Sequence, residues 1–404
     1  MKAEKPMQPD PRQHYLTPLR QTTFHPRTAA ANRLNSWGPW GGYTTVLEYD
    51  DLAMEHSAIR NAATVYDLCP MVKYRVRGPE AAAYLNRLTV RNAAKLPVGA
   101  VHYTIWCDDA GHIIDDGTLF RLGEADFRIC CQERHLPWLL DSAFGFEVSV
   151  AEETEEIAAL SLQGPCSFAV LKAAGFDVAA LKPFRMATFG FDGGELMISR
   201  TGFTGDLGYE LWIAPDHALA LWDCLFEAGA PWGLRPIGTQ ALDLARTEAG
   251  FIITNLDFVP AHQAVREDRV RSPFEMSLDW MIDWNKGHFT GRRALLAERE
   301  RGSRWAFVGL DIDGNVSAEH AIVYHDRKRE VGQITAACWS PTLKRNIALA
   351  HLERPYHAGK SDNLWVEVYA MRELQYVKLM LRAKVCDRPF FNPDRRRATP
   401  PGPF

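Results

Sequence analysis

Between residues 298 and 304 the chain reads ERERGSR, a charged stretch without a large apolar side chain, and the hydropathy pattern changes across it. Beyond it, the runs 305–311, 321–325, 333–338, 347–352, 364–369 and 377–381 are short, alternate between apolar and polar residues, and are separated by turn residues. That pattern predicts an all-β domain, sandwich or barrel. Before it, helical and strand periods are mixed. Residues 52–63, 79–88, 137–144, 165–174, 217–228 and 238–249 have helical spacing, with Pro79 in a first turn where its missing N–H costs nothing. Residues 73–78, 194–199 and 209–213 alternate as strands. Within 101–131, Asp-Asp-Ala-Gly, Asp-Asp-Gly and Gly-Glu-Ala-Asp break the β-branched runs into successive antiparallel strands. The order is α+β, without strict βαβ alternation. The 404 residues also exceed the roughly 250–300 at which one core stops growing.

Four parts follow: an irregular N-terminal arm over 1–45, anchored by Trp37 and Trp40 among Gly and Pro; a mixed region over 46–300; the β domain over 301–393; and a basic, proline-rich tail over 394–404, read as a solvated end. A net charge of −4 gives no general attraction to nucleic acid or anionic membrane, so neither is expected as a partner. No window approaches the ~20 apolar residues of a membrane span, and the first 45 residues carry no signal-peptide run. The eight cysteines form no C-x-x-C and no His cluster has metal-ligand spacing, so no metal site is expected. The cysteines read as reduced thiols of a cytoplasmic protein.

No glycine-rich dinucleotide or nucleotide-phosphate loop is present, which leaves carboxylates and arginines as the candidates for chemistry. In Gly111–Gly117 the neighbours Asp115 and Asp116 point to opposite faces if they lie on a strand, so one faces inward if the other faces water; the plainer reading is a solvated turn. In SRTGFTGDLGYELWI (199–213), three glycines relax the backbone and alternation resumes at Tyr209. Glu210 then lies on the face opposite Tyr209 and Leu211, either exposed or ready to accept paired N–H bonds from an aminopyrimidine-like edge. Arg246 falls near the end of a helix whose residues 241, 242, 244, 245 and 249 are apolar; by itself it reads equally as a surface residue favoured by the helix dipole. Trp280, Trp284 and Phe289 read as core.

In order, VYDLCPM (65–71), NRLTVRNAAKLPVGAVHYT (86–104), GHIIDDGTL (111–119), LSLQGPCS (160–167), SRTGFTGDLGYELWI (199–213), ARTEAG (245–250), FTGRRAL (289–295) and ITAACWSPTLKRNIALA (334–350) resemble the folate-dependent aminomethyltransferase family. That family includes the T-protein of glycine cleavage and dimethylsulfoniopropionate demethylase. The resemblance runs from about residue 45 to 393. It implies a large folate-binding region of intertwined α/β subdomains around a central channel, followed by a small C-terminal β-barrel domain. It also implies tetrahydrofolate as one-carbon acceptor, with Glu210 and Arg246 on the pterin edge and with Tyr103 and Phe203 where the family places folate-contacting rings. The family's catalytic aspartate belongs to the Asp-Asp pair, with Asp115 the better match and Asp116 the alternative.

The resemblance is uneven. Where T-proteins follow Glu-Ala-Gly with a Leu-Tyr-Gly-containing segment, this chain has FIITNLDF (251–258); SPFEMSLDWMIDW (272–284) is closer to the demethylase, while FTGDLGYE is closer to the T-protein. These departures imply a branch that moves a methyl or methylene unit from a small methylated amine or onium compound to tetrahydrofolate. The alternatives are a glycine-cleavage T-protein acting on an aminomethyl-lipoyl carrier protein, and a folate-binding protein without catalysis.

Overall fold

The computed structural model describes residues 19–402, so the ends of the expected arm and tail lie outside the described residues. The run 101–131 forms three antiparallel strands, Ala100–Cys107, Ile113–Gly123 and Asp126–Cys131, in a five-stranded sheet completed by Val72–Arg77 and Ser149–Glu152. The first expected break is a turn: Asp108 accepts the Gly111 N–H on its carbonyl and the His112 N–H on its carboxylate at 2.9 Å. The second is not. Asp115-Asp116-Gly117 lies inside the middle strand, because a bulge opposite Trp106 and Cys107 absorbs one residue and resets the register. Gly117 serves strand packing instead: a Cβ there would stand 2.2 Å from the Cys130 carbonyl oxygen.

A second sheet of six strands has the order Met186–Phe191, Gly194–Ser199, Gly208–Ile213, Ala158–Gln163, Thr64–Asp67, Arg235–Pro236. The chain enters it at Thr64–Asp67, leaves to build the whole five-stranded sheet, and returns at Ala158, which intertwines the two halves. Alternation divides the work of each strand. On Gly208–Ile213, the side chains of Tyr209, Leu211 and Ile213 join Leu160, Leu162 and Leu225 in an apolar core behind the sheet. Trp212 points the other way and meets Phe120 edge-on across the interior, where Val101, Cys130 and Ala245 complete a smaller cluster.

The six runs after residue 304 form a closed barrel from Trp305–Ile312, Ile322–His325, Arg329–Ser340, Arg345–Glu353, Leu364–Arg372 and Gln375–Cys386. Phe307, Ala336 and Leu349 of this barrel pack with Ile105, Ile113 and Phe289 of the first region, so the two regions share a core. Of the expected aromatic cluster, Phe289 is buried, whereas Trp280 is 63% exposed and carries the Arg91 guanidinium over its ring. No helix among the described residues is long and apolar enough to cross a membrane.

The stretch 298–304 is mostly the last turn of the helix Arg292–Arg301, with Glu298 buried against Ser272 and Ser303, and the first barrel strand starts at Trp305. Two sequence expectations need correction. The arm is regular from residue 20: the helix His25–Ala31 is followed by a hairpin of Ser36–Trp40 and Tyr43–Glu48, whose turn uses Gly41 and Gly42 at positive φ. The basic tail is not a solvated end. Arg395 forks onto Asp206 at 2.6 and 2.7 Å, and the buried Arg200 donates to the carbonyls of Arg396 and Ala398 and to the Thr399 hydroxyl. Arginine binds carboxylates and carbonyls in this forked way more readily than it stays hydrated, which a composition-based reading of the tail overlooks.

Candidate functional site

The glycine-rich loop is built around a side chain from another strand. Gln163 donates its amide to the carbonyls of Thr201 and Tyr209 and accepts from Thr204, and a Cβ at Gly202 or Gly208 would stand 2.1 Å from its oxygen. Gly205, at φ +75°, also lets the loop touch Ala249 of the helix Thr239–Ala249. The loop is thereby pinned to both neighbours, and it delivers Glu210 to the interior face. A relay of hydroxyls holds that carboxylate: Trp212 Nε1 donates to Ser199 Oγ at 3.1 Å, Ser199 lies 2.7 Å from Thr201 Oγ1, and Thr201 donates to Glu210 Oε2 at 2.5 Å. Oε1 has no protein partner among the described residues. Burial raises the Glu210 carboxyl to about 7, and the single bond from Thr201 offsets only part of that.

The two aspartates divide as strand alternation requires. Asp115 shares its face with Trp106 and is fully buried. Its Oδ1 accepts the Asp116 N–H at 2.8 Å and the Thr254 hydroxyl at 2.5 Å, and its Oδ2 meets His135 Nε2 at 2.7 Å and the Glu133 N–H at 3.4 Å. Asp116 shares the opposite face with Tyr103 and Ile105 and keeps part of its surface open. It accepts the Tyr103 hydroxyl on Oδ2 at 2.8 Å, while Oδ1 lies 2.9 Å from Thr254 Oγ1. Burial, and then the charge of Asp115, push Asp116 up to about 7. Neither reading of the pair as a solvated turn nor a simple inward–outward split describes this arrangement: both side chains are turned to use.

Arg246 is fully buried rather than exposed at the helix end. Nε donates to Asp243 at 2.6 Å, and Nη1 donates to Asp257 at 2.7 Å and to the Phe251 carbonyl at 3.1 Å. Its Nη2 has no partner among the described residues, an open donor that costs about 1–3 kcal/mol if nothing else supplies an acceptor. Phe203 stacks on Phe251 with ring centres 5.5 Å apart, and the Arg396 guanidinium lies over the Phe251 ring. The predicted residues thus form two groups: Tyr103 with the aspartates, and Glu210, Arg246 and Phe203 around the glycine-rich loop and the end of the helix.

These features suit a flat, amino-substituted heterocycle such as the pterin of tetrahydrofolate. Glu210 offers an unoccupied acceptor, Arg246 an unoccupied donor, and Tyr103, Phe203 and Phe251 offer rings for stacking.

Sequence reasoning missed several contributors. Thr254 and Phe251 sit in the segment that departs from the T-protein pattern, and that departure was their only signal. His135 lies in an ordinary polar run, ERHLP, and nothing local marks it. Asp257 is legible only from its partners: Arg246, the Ile253 N–H at 2.8 Å, and the Thr335 hydroxyl from the barrel. Arg388 donates to the carbonyls of Gly250 and Phe307, and burial lowers it to about 10.

Residues 27–286 match the family model described as the GCVT N-terminal domain, and residues 306–392 match the glycine cleavage T-protein C-terminal barrel domain. An aminomethyltransferase of Halothermothrix orenii is 33% identical over 316 residues, covering 77% of this chain and 86% of the relative. A trimethylamine-oxide aldolase of Ruegeria pomeroyi is 35% identical over 354 residues; this spans 84% of the present chain but 43% of that longer protein. Among solved structures, the glycine cleavage system aminomethyltransferase T of Bartonella henselae superposes with a TM-score of 0.81 at 24% identity, over 93% of this chain and 98% of that one, a likeness of fold.

Proposed function

The chain belongs to the glycine cleavage T-protein family of folate-dependent aminomethyltransferases, and from that premise we propose that it is a tetrahydrofolate-dependent one-carbon transferase whose donor is a small methylated amine or onium compound. The observation that carries this reading is the state of Asp116. It is a partly open carboxyl at about 7, with no cationic side chain within salt-bridge distance among the described residues. Such a group can hold a proton for a leaving nitrogen and equally attract a cationic one, because a positive charge beside it favours the ionised form.

In this reading Asp116 is the reacting carboxyl and Asp115, surrounded by donors, keeps it in place; this moves the catalytic role by one residue from the sequence expectation. Tyr103 orients Asp116 through its hydroxyl, and its ring face can take a methylated cation, an attraction of about 0.5–2 kcal/mol. Glu210 and Arg246 would hold the pterin edge, with the stacked pair Phe203 and Phe251 beside it. Tetrahydrofolate, when bound, supplies the nitrogen that accepts the one-carbon unit. With a neutral amine donor the C–N bond would break with its electron pair going to nitrogen, Asp116 would give that nitrogen its proton, and the carboxylate so formed would take up the proton shed by the accepting nitrogen. An onium donor leaves as a neutral group, and there Asp116 would only receive the acceptor's proton.

The relative named trimethylamine-oxide aldolase supports a methylated nitrogen compound as donor, as does the replacement of the T-protein segment by FIITNLDF beside the aspartates. A second reading, a T-protein acting on an aminomethyl-lipoyl carrier, is supported by aminomethyltransferases that match along 86% and 89% of their own length. The test is to incubate the protein with tetrahydrofolate and a panel of methylated amines, amine oxides and sulfonium compounds, and to weigh the folate product by mass spectrometry. A folate one carbon heavier, with loss of one methyl from a free small donor, is the expected result. Conversion only with an aminomethyl-lipoyl carrier would establish the second reading. No conversion with any donor would leave a folate-binding protein without catalysis.

A further inference from the structure

We infer that Thr254 is a positioning residue that joins Asp115 and Asp116 into one proton-sharing unit, its hydroxyl donating to Asp115 Oδ1 and receiving the carboxyl proton held on Asp116 Oδ1. The significance of that unit for turnover rests on the one-carbon-transfer reading; its existence does not.

The geometry requires a choice of proton. Thr254 Oγ1 lies 2.5 Å from Asp115 Oδ1 and 2.9 Å from Asp116 Oδ1, yet a hydroxyl carries one hydrogen. If both carboxyls were ionised, one of these contacts would set oxygen against oxygen with no hydrogen between them. With one proton on the pair, both contacts become hydrogen bonds. Asp115 has the fuller set of partners: besides Thr254 it meets the Asp116 N–H, the Glu133 N–H and His135. Asp116 has, among the described residues, Tyr103 as its one other donor, so the proton is assigned to it. The other charged or titratable groups around the pair among the described residues include the Cys131 thiol, which burial and then the charges of both aspartates push up, His262, whose ring stands 5.1 Å from that of His135, Glu133, and Arg388, whose charge acts on the Tyr103 hydroxyl.

Thr254 is held for this task from both regions of the molecule. Gln132 donates to its carbonyl at 3.1 Å, and Asn255, in a left-handed conformation at φ +68°, donates to Glu133 at 3.1 Å. Asp257 ties the segment to Arg246, and the Thr335 hydroxyl of the barrel donates to Asp257. His351, also from the barrel, meets the Asp257 carbonyl at 2.6 Å. Thr254 itself is 1% exposed, so water cannot substitute for its hydroxyl without a rearrangement.

The test is a pH titration of the ligand-free protein labelled with 13C at the aspartate carboxyls, comparing the native chain with Thr254→Val and Thr254→Ser. The shared-proton unit loses two hydrogen bonds in its protonated form but one in its ionised form when the hydroxyl is removed. The upper midpoint of the pair should therefore fall by at least about half a unit in Thr254→Val and be retained in Thr254→Ser. A midpoint that stays, or rises as it would if Thr254 only donated, overturns the inference. A fallen midpoint in a protein that turns over no donor would uphold the inference and reject the one-carbon reading. Turnover with an unmoved midpoint would do the reverse. Where donors are found, the alkaline limb of the kcat profile should move down with the midpoint.

Discussion

Two buried carboxylates, one on a helix and one on a strand, have opposite fates. Glu248 is fully buried, and burial would raise it; the His56 bond and the Arg60 charge, with a bond from Ser340, instead hold it down at about 2. Arg60 donates to it at 2.7 and 2.9 Å, and Ser340 Oγ reaches it from the barrel at 2.5 Å. Glu248 thereby ties the helices Leu52–Asn61 and Thr239–Ala249 to the barrel. Glu210, also within a tenth of full burial, has one hydroxyl and no cation, and rises to about 7. The difference shows how to tell scaffold from site here. A buried carboxylate whose partners are complete holds the fold; one whose partners are incomplete is the candidate for meeting a ligand.

The linkage to pH has opposite signs in the two places. Raised groups, Glu210 and Asp116, contribute stability that is fully present below their ordinary values near 4 and is lost as pH rises through about 7. The depressed group, Glu248, contributes stability present above its ordinary 4.5 and lost as pH falls through about 2.

The comparison can be broken at its strongest point first. Asp116→Asn, which keeps the shape and the Tyr103 contact, should lower turnover by about 10²–10⁴-fold while leaving thermal melting and folate affinity nearly unchanged. An equal loss with Asp115→Asn and none with Asp116→Asn would return the catalytic role to Asp115. Next, Glu248→Gln takes from the buried Arg60 its nearest carboxylate, leaving only the longer pair to Asp206 at 3.6 Å, and should cost up to about 3–5 kcal/mol in denaturant unfolding. A loss under 1 kcal/mol would mean that Glu248 is not a structural node. Smaller again, Glu210→Gln should weaken tetrahydrofolate binding by about tenfold in calorimetry, the worth of a hydrogen bond to a charged group. Unchanged affinity would refute the pterin contact. The finest distinction is the sign of the pH effect: Glu210→Gln should melt higher than the native chain at pH 8 and close to it at pH 4, whereas Glu248→Gln should melt lower at both.

Much of the architecture was legible because it rests on local periods. Period-two alternation placed Glu210 opposite Tyr209 and Leu211, and placed Asp115 and Asp116 on different faces, whatever the rest of the chain did. The six short runs after residue 304 could bury their apolar faces only by closing on one another, and they form a barrel. The tail was not legible, because it depends on a partner far away in sequence: Arg395 finds Asp206 across 189 residues. The hairpin at 36–48 pairs with itself and Arg246 finds Asp243, Phe251 and Asp257 within 11 residues, contacts that neither the glycine- and proline-rich composition of the one nor the helix-end position of the other signals.

By itself, then, the sequence determined which residue types could meet the interior and in what order along each strand, since side-chain direction follows from backbone geometry. Only the tertiary structure decided which of them lack a full set of partners. Whether a carboxylate keeps its charge depends on donors, cations and water brought together from distant segments. Glu248 and Glu210 are the same side chain; Arg60, His56 and Ser340 around one, and a single hydroxyl on the other, make one a fastening and the other a candidate site.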